Sequence, residues 1–480
     1  MELGVLGGII LSHLHEHVIM EYYFLLGIGG TGMSNLARYL MKTGNRVYGY
    51  DSTETYVTQD LIKEGAQIVY EEDVNLVHQD LISKKNKVTV VYSFAIHDDN
   101  VLLSFFKSNS YCVISRSEMF NKITKNRNVI AIAGTHGKTT STVLMSHILA
   151  TSGLSVVGFC GGISKNYNNN FIINGNVNNS IVVIEADEYK EFFLSIHPTI
   201  ELITNVDVDH LDYYKTPSNY KNAFIKFINL LDLKTGLLVI NDDFKNLVPY
   251  ECKTIMHSYG SLSNAQIYAG NVHIEDERFV FDYVSQDVKI DKCRLFVPGY
   301  HNVRNALGVI TVALRLGISC ENILNGLKTF KGVKKRFDIV YRSNKYLVID
   351  DYAHHPTEMV SVINTVKTLY PSRKITVVFR PHLYSRTKDF FYEFVDVLNS
   401  VDCAIVLDVF AARENYDKSA SVEKLVSSLS IKDKSVCHSD NLCSVIRTIG
   451  EHDIIINFGA GDSEFFVDTI INAISEPKSN

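Results

Sequence analysis

The stretch that decides the fold is residues 128–140, NVIAIAGTHGKTT. Its first part, Asn128 to Ala133, is a nearly continuous apolar run, typical of a buried parallel strand. The run leads through a glycine loop into a helix that we expect from Thr139 to Ala150, ended by Gly153. Backbone N–H groups at the start of such a helix are unpaired and attract anions, so the stretch predicts a phosphate-binding loop.

The loop is similar to the pattern G-x-x-x-x-G-K-[ST] but departs from it. Ile132 stands where the first glycine of that pattern would be, and the first glycine here is Gly134. Lys138 can still reach β- and γ-phosphate oxygens, and Thr139 can face Mg²⁺. The predicted triphosphate loop consists of Gly134, Thr135, His136, Gly137, Lys138, Thr139 and Thr140.

Two acidic clusters follow the next predicted strands. The predicted strand Ile181–Ile184 runs into the first cluster, which consists of Glu185, Asp187 and Glu188. The predicted strand Leu202–Val206 runs into the second, which consists of Asn205, Asp207, Asp209 and His210. An isolated acidic cluster is usually a solvated loop. Here both clusters are expected at the carboxyl edge of the sheet that carries the triphosphate loop, where oxygen ligands suit Mg²⁺.

A second glycine loop lies near the start of the chain. The apolar run Tyr22–Leu26 leads into a G-x-G-x-x-G pattern, and Asp51 ends the following predicted strand, Val47–Tyr50. This spacing is typical of a diphosphate site at a strand-to-helix turn, and a nicotinamide dinucleotide is only one molecule with such a group. A nicotinamide-dependent oxidoreductase, or a glycine turn that serves only packing, therefore stays open at this point.

The third part of the chain repeats the α/β pattern. Its apolar strands are expected at Tyr346–Ile349, Ile375–Phe379, Ala404–Leu407 and Ile454–Asn457. The paired histidines of DDYAHHP, residues 350–356, lack the further ligands of a zinc site, so contact with substrate is the better interpretation.

These patterns predict an α/β fold of three domains. The first is a Rossmann-like domain, the second a mostly parallel sheet with helices of the P-loop ATPase type, and the third is again Rossmann-like. The predicted ranges are 1–19 for a disordered extension, 20–125, 126–333 and 334–480. Lys122–Asn128 is predicted to be a linker, and residues 236–297 to be strands added at the periphery.

Composition excludes several classes of protein. The 480 residues carry 47 Lys and Arg against 53 Asp and Glu, a net charge of -6, which does not suit a nucleic-acid-binding protein. The eight cysteines form no C-x-x-C pair, so neither a disulfide framework nor a thiolate zinc site is expected. No apolar run approaches the roughly twenty residues of a membrane span, and the start is a poor signal peptide, so we predict a cytoplasmic protein.

A set of motifs resembles one family. The chain is similar to the Mur ligases from about Tyr22 to beyond Asp462, through the ordered motifs GTHGKTT, EADE, NVDVDHLDYY, GYHNVRNALG, KRFD, DDYAHHPTE, PHLYSRT and NFGAGD. The resemblance implies an ATP-dependent ligase that joins L-alanine to the lactyl carboxylate of UDP-N-acetylmuramate through an acyl phosphate, in peptidoglycan precursor synthesis. A ligase that attaches a whole recycled peptide to the same sugar nucleotide is the nearest alternative.

The same resemblance implies roles for individual residues. Catalytic roles fall on Lys138, Glu185, His210, His354 and Arg386, and Mg²⁺, expected as two ions, on Thr139, Glu185 and His210. ATP contacts beyond the triphosphate loop are His301, Asn302, Asn305, Arg336 and Asp351. Substrate contacts are Gly27, Gly29, Gly30, Thr31, Gly32, Met33, Ser34, Asp51, Ser93, His210, Tyr352, His354 and Arg386.

Four positions depart from the family pattern. They are Phe94, Ala353, Arg380 and Leu383, and Leu383 removes an arginine that many members carry. One contact to substrate is thereby in question, and Arg380 or Arg386 could replace it. The expected assembly is a monomer or a homodimer.

Overall fold

The structure, a computed structural model, describes residues 20–250, 254–260, 263–411, 414–448, 453–461 and 464–475, apart from the side chains of Asp212 and Glu464. The predicted extension 1–19 lies outside these residues. The chain forms two compact units, of which the first ends at Met119 and the second begins at Phe120.

The α/β fold class predicted from the sequence is confirmed. The strands are β1 Tyr22–Leu26, β2 Arg46–Tyr50, β3 Gln67–Val69, β4 Val88–Tyr92, β5 Cys112–Ser115, β6 Val129–Ala133, β7 Val156–Ser164, β8 Asn169–Asn174, β9 Ile181–Glu185, β10 Ile200–Ile203, β11 Leu237–Asn241, β12 Ile255–Gly260, β13 Ile267–Glu275, β14 Arg278–Val284, β15 Lys289–Leu295, β16 Asp338–Arg342, β17 Leu347–Asp351, β18 Ile375–Phe379, β19 Cys403–Leu407, β20 Asp433–Cys437 and β21 Ile454–Phe458. The helices are α1 Thr31–Lys42, α2 Tyr56–Lys63, α3 Gln79–Ser83, α4 Val101–Ser108, α5 Arg116–Thr124, α6 Lys138–Thr151, α7 Leu211–Tyr214, α8 Pro217–Ile228, α9 Tyr300–Arg315, α10 Cys320–Thr329, α11 Pro356–Leu369, α12 Tyr384–Asp389, α13 Phe391–Leu398, α14 Val422–Ser427, α15 Leu442–Thr448 and α16 Glu464–Ser475.

The first unit is built on a five-stranded parallel sheet in the order β3-β2-β1-β4-β5. The order reverses between β1 and β4, which opens a crevice at the carboxyl ends of those strands. The glycine loop follows β1 and Ser93 follows β4, so both reach this crevice. The fold thus places the predicted diphosphate loop where ligands bind in sheets of this kind.

The second unit contains two sheets. The larger has ten strands in the order β15-β14-β13-β12-β11-β10-β6-β9-β7-β8. Seven of them, from β13 to β7, are mutually parallel, and antiparallel strands complete both edges. Because β6 lies between β9 and β10, the triphosphate loop and the two acidic clusters leave the sheet from adjacent strands.

The smaller sheet of this unit has the order β16-β17-β21-β18-β19-β20, with only β16 antiparallel. One hydrophobic core joins residues of both sheets, from Ile130 in β6 to Phe458 in β21. The sheets therefore belong to one packed body. Within the described residues, no helix has both the length and the apolar composition that a membrane span requires.

One predicted segment differs in part from the structure. The predicted linker Lys122–Asn128 begins inside α5, which continues to Thr124. Ser115 and Glu118 form a capping box at the start of this helix, with Ser115 N–H 2.7 Å from Glu118 Oε2. Phe120 and Ile123 are buried. Their packing stabilises the helix, although the Lys and Asn content of the stretch suggests a linker.

Candidate active site

The loop between β6 and α6 depends on its glycines. Gly134 has φ of +136° and Gly137 φ of +80°, backbone conformations that favour glycine. A Cβ at Gly137 would lie 2.5 Å from Asn305 Oδ1, and one at Gly134 would lie 2.1 Å from Thr204 Oγ1. The loop therefore lies directly against α9 and the end of β10, and its amides open α6 as an anion site.

Lys138, the first residue of α6, has a buried counter-ion. Its Nζ donates to Glu188 Oε2 at 2.8 Å and to the Gly134 carbonyl oxygen at 2.6 Å, and Glu188 is fully buried. Burial disfavours the charged ammonium, but the carboxylates of Glu188, Asp187 and Glu185 together outweigh burial and raise the pKa of Lys138. The loop thus holds a permanent positive charge where phosphate oxygens are expected.

Thr139 and Glu185 form the pair expected for Mg²⁺. Thr139 Oγ1 donates to Glu185 Oε1 at 2.9 Å, and the Gly161 N–H donates to Glu185 Oε2 at 2.7 Å. A Cβ at Gly161 would lie 2.4 Å from both carboxylate oxygens, so a side chain there would displace the Glu185 carboxylate. Burial raises the pKa of Glu185, and a bound cation would favour its ionised form.

This oxygen donor set fits Mg²⁺ beside a phosphate loop. Among the described residues, no three His, Cys, Asp or Glu side chains converge as a metal site.

His210 lies beside the same buried carboxylate. Its Nε2 is 3.6 Å from Glu188 Oε1, and its ring centroid is 4.9 Å from that of Tyr189. His210 has φ of +54°, while Lys190 and Glu191 have φ of +52° and +56°. Such backbone strain concentrates at functional sites. Glu188, which the sequence analysis left without an individual role, therefore joins Lys138 to His210.

Side chains that follow strands of the smaller sheet lie close to Asp209, the neighbour of His210. Arg386 Nη2 lies 3.6 Å from Asp209 Oδ1, and Arg386 Nη1 lies 3.2 Å from His382 Nδ1. The rings of His382 and His354 are 5.6 Å apart. Burial lowers the pKa of His354 below its usual value, which favours the neutral imidazole.

Contacts join these groups into a closed circuit around the triphosphate loop. His136 contacts helix α11, because its Nδ1 lies 3.0 Å from Glu358 Oε1. The members follow one another in the order Lys138, Glu188, His210, Asp209, Arg386, His382, His354, Glu358 and His136. The backbone of Gly137, which separates His136 from Lys138, closes the circuit. The catalytic residues predicted from the sequence, apart from Glu185, belong to this circuit, and Glu185 borders it through Thr139.

The predicted ATP contacts on α9 lie nearby. His301 Nδ1 is 2.7 Å from Ser361 Oγ of α11, and burial lowers the pKa of His301 to about 4. Asn302 donates to the Pro298 carbonyl oxygen at 2.7 Å. Asn305 Nδ2 lies 3.4 Å from Asn302 Oδ1, and Asn305 Oδ1 occupies the space that a Cβ at Gly137 would need.

Arg336 and Asp351 lie at the junction between the sheets. Asp351 accepts the Phe337 N–H at 2.6 Å and the Ala353 N–H at 2.8 Å, so both of its oxygens hold backbone. Burial raises the pKa of Asp351 to about 6, against the effect of the Arg336 charge. The Arg336 guanidinium lies 5.1 Å from the ring centroid of Tyr352. Asp351 thus positions the junction in addition to any contact with nucleotide.

The glycine loop of the first unit is shaped by Asp51 and Arg116. Asp51 Oδ2 accepts the Gly29 N–H at 2.8 Å, and a Cβ at Gly32 would lie 2.1 Å from Arg116 Nη1. The Arg116 guanidinium is 5.2 Å from the ring centroid of Phe94.

Other predicted substrate contacts of this loop lie at different depths. Gly30 and Thr31 are exposed, whereas the side chains of Met33 and Ser34 are buried. Ser93 donates its N–H to the Leu26 carbonyl oxygen at 3.1 Å, next to Gly27. Arg116 was missed from the sequence, although its place after β5 and before a capped helix brings it to the carboxyl edge.

Comparison with known proteins agrees with this fold. Residues 22–128 match the catalytic domain of the Mur ligase family, residues 132–313 the Mur ligase middle domain and residues 335–461 the glutamate ligase domain of Mur ligases. The three sheets and the lysine-bearing loop define a ligase of this class, and the chain belongs to the Mur ligase family.

Individual relatives are similar over nearly their whole length. The chain is 37% identical to the UDP-N-acetylmuramate–L-alanine ligase of Flavobacterium psychrophilum, covering 92% of this chain and 96% of that protein. It is 35% identical to the enzyme of the same name from Christiangramia forsetii, covering 92% and 95%.

Solved structures show the same likeness. The UDP-N-acetylmuramate-alanine ligase of Thermotoga maritima has a TM-score of 0.78 at 27% identity, over 95% of this chain and 99% of that one. A murein peptide ligase of Psychrobacter arcticus has a TM-score of 0.67 at 20% identity, over 96% and 100%, and shares the fold.

Proposed function

We propose that the protein is an ATP-dependent ligase that forms an amide between L-alanine and the lactyl carboxylate of UDP-N-acetylmuramate. The observation that carries this proposal is the closed circuit around the triphosphate loop. It brings a buried lysine, members of two acidic clusters, and Arg386 and His354, which His382 connects, to one place. The relatives that share more than a third of its residues carry the name of this activity.

The reaction proceeds in two displacements. A carboxylate oxygen of the sugar nucleotide bonds to the γ-phosphorus of ATP, and the bond from that phosphorus to ADP breaks. The alanine amine then attacks the acyl carbon, phosphate leaves with the electrons of the C–O bond, and the amine loses one proton. Phosphoryl transfer needs little covalent work from side chains, so the protein acts mainly by positioning and charge.

Lys138 supplies the charge nearest to the phosphates. Because Glu188 holds its Nζ against the Gly134 carbonyl oxygen, the ammonium is fixed in place before phosphate arrives. Fixed charge of this kind stabilises a transition state without reorganisation. Arg386 and the neutral imidazole of His354 are proposed to face the acyl phosphate and the amine.

Thr139 and Glu185 would hold one Mg²⁺, and His210 is proposed to contact a second ion. When bound, such ions neutralise charge on the phosphate oxygens. His301, Asn302, Asn305, Arg336 and Asp351 are proposed to surround the nucleotide. These contacts depend on the triphosphate loop, which Glu188 and Asn305 hold in place.

The first unit is proposed to bind the UDP part of the substrate. Gly27, Gly29, Gly30, Thr31 and Gly32 form the loop, and Met33, Ser34, Asp51 and Ser93 border it. Arg116 adds a positive charge next to Gly32, which suits a diphosphate.

The cytoplasmic location of the protein and its assembly as a monomer or a homodimer stay predictions.

The test is a reconstitution with purified protein. ATP, Mg²⁺ and UDP-N-acetylmuramate are incubated with L-alanine, with other single amino acids, or with a tripeptide, while orthophosphate and product mass are followed. Phosphate release matched by the alanine adduct is the expected result. Release only with the tripeptide would identify a peptide-recycling ligase, and no release in any mixture would refute the proposal.

A further inference from the structure

One carboxylate joins the two sheets of the second unit at the triphosphate loop. Glu358, in the first turn of α11, points its Oε1 at the ring of His136, 3.0 Å from Nδ1. His136 belongs to the triphosphate loop, whereas α11 packs on the smaller sheet. Both side chains are largely buried, with 22% of His136 and 18% of Glu358 exposed.

The other oxygen of Glu358 has a separate task. Oε2 accepts the N–H of His354 at 3.1 Å and that of His355 at 3.4 Å. Glu358 is the third residue of α11, and glutamate at this position commonly caps a helix. Capping alone explains Oε2, but it does not explain why Oε1 reaches across to the loop of the other sheet.

The two oxygens thus connect two reacting regions. Through Oε1 the carboxylate fixes the loop that is proposed to hold the triphosphate, and through Oε2 it fixes the backbone of His354, proposed to face the acyl phosphate and the amine. Burial opposes the charged imidazole, but the Glu358 carboxylate raises the pKa of His136, which strengthens the contact. Other charged groups that act on this pair are Lys138, Asp207, Arg336 and His354.

We propose that Glu358 is a positioning residue that holds the backbone of His354 in register with the triphosphate loop, so that the acyl group is transferred to the amine instead of to water. The proposal rests on the proposed function. When the register is lost, the acyl phosphate is hydrolysed: water attacks the carbonyl carbon, orthophosphate leaves, and the free carboxylate is regenerated. ATP is then consumed without amide.

The experiment measures orthophosphate and amide separately in the full-length protein. Glu358→Gln keeps an oxygen for the cap but removes the charge that faces His136, and His136→Ala breaks the same contact without altering the cap. For both variants we expect amide turnover to fall at least about tenfold and the ratio of orthophosphate to amide to rise from one to about two or more. The wild-type protein is expected to give a ratio of one.

Two comparisons separate positioning from structure. Glu423→Gln alters an exposed first-turn glutamate of α14, away from the site, and should keep both the turnover and the ratio. The double variant should lose no more than the worse single variant, because both changes remove one contact. If Glu358→Gln melts early, His136→Ala decides the question.

A ratio of one in both single variants would overturn the proposal, whether or not turnover falls, because a merely structural residue lowers both products together. This result differs from failure of the proposed function. In that case the wild-type protein itself would release no orthophosphate with product.

Discussion

Lys138 Nζ lies 2.8 Å from Oε2 of Glu188, a side chain with no exposed surface. The lysine comes from the start of α6 and the glutamate from the turn after β9, two elements that adjacent strands of the sheet bring together. An unpaired buried charge is costly, so each member of the pair makes the other tolerable. The triphosphate loop is therefore charged and ordered by a partner fifty residues further along the chain.

Lys138→Ala should reduce kcat by on the order of 10²–10³, equal to about 3–4 kcal/mol of transition-state stabilisation. UDP binding should survive, because the glycine loop of the first unit is a separate element. Steady-state phosphate release and calorimetric titration with UDP measure the two effects. Near-normal turnover would refute the assignment of Lys138.

Glu188→Gln should destabilise the fold as well as slow the reaction. Removing one partner of a buried ion pair typically costs about 3–5 kcal/mol, since the other charge is left in a poor environment. Glu191→Gln is the matched control, because Glu191 pairs with the exposed Lys226 at 3.2 Å and its loss should stay within about 0.5 kcal/mol. Urea unfolding of both variants measures the difference, and equal stabilities would contradict a structural counter-ion.

Glu185→Gln should raise the Mg²⁺ concentration needed for half-maximal activity by about 10–100-fold, because a carboxylate ligand becomes an amide. Thr139→Val should shift it in the same direction, whereas Thr139→Ser keeps the hydroxyl and should stay close to the wild type. Activity measured across a Mg²⁺ titration distinguishes these cases. An unchanged titration in Glu185→Gln would show that this pair does not hold the ion.

Much of the site could be predicted from the sequence, because its parts obey local rules. Gly134 and Gly137 need backbone conformations with positive φ, and Lys138 starts a helix after a buried strand. Such features are fixed within about ten residues of chain. They identified the loop, the acidic strand ends and the fold class.

The partners of these residues could not be predicted, because they depend on which segments meet in space. Glu188 is one of several acidic residues in its cluster, and only burial against Lys138 distinguishes it. From the sequence, Glu358 would be interpreted as a helix cap only. The contact of its Oε1 with His136 is visible only in the structure. The predicted linker Lys122–Asn128 begins three residues too early for a related reason, since burial of Phe120 and Ile123 keeps α5 helical to Thr124.

Gly32→Ala should change the stability of the first unit by no more than about 1 kcal/mol, because the obstacle is the end of a flexible arginine side chain and because alanine favours a helix more than glycine does. The added Cβ would lie 2.1 Å from Arg116 Nη1, so the guanidinium must move. Arg116→Ala removes the obstacle, and Gly32→Ala in that background should cost less. Thermal unfolding of the two single variants and the double variant measures the coupling, and strict additivity would contradict the contact.

The same variants should affect ligand binding differently. Arg116→Ala should weaken UDP binding by at least about tenfold through loss of a charge-assisted contact to phosphate, whereas Arg116→Lys should retain part of the affinity. Calorimetric titration with UDP and with uridine separates phosphate recognition from base recognition. Equal losses for both ligands would contradict a role of Arg116 at the diphosphate.

His147 should make the fold sensitive to acid. This histidine is buried in α6 between Tyr167 OH at 3.0 Å and Thr329 Oγ1 at 2.9 Å, and burial lowers its pKa to about 4. A folded-state pKa below the unfolded value of about 6.5 means that the unfolded chain binds the extra proton. The stabilisation is therefore complete above pH 6.5 and is lost as the pH falls from about 6.5 to 4, by up to about 3 kcal/mol.

His147→Gln cannot bind this proton and keeps a hydrogen-bonding side chain between Tyr167 and Thr329. The variant should start less stable at pH 7.5, because the replacement packs less well, and then lose less stability than the wild type on acidification. Urea unfolding at pH 7.5 and at pH 5 measures the two slopes. Identical slopes would show that His147 takes up a proton over the same pH range in the folded and the unfolded protein, in conflict with its burial.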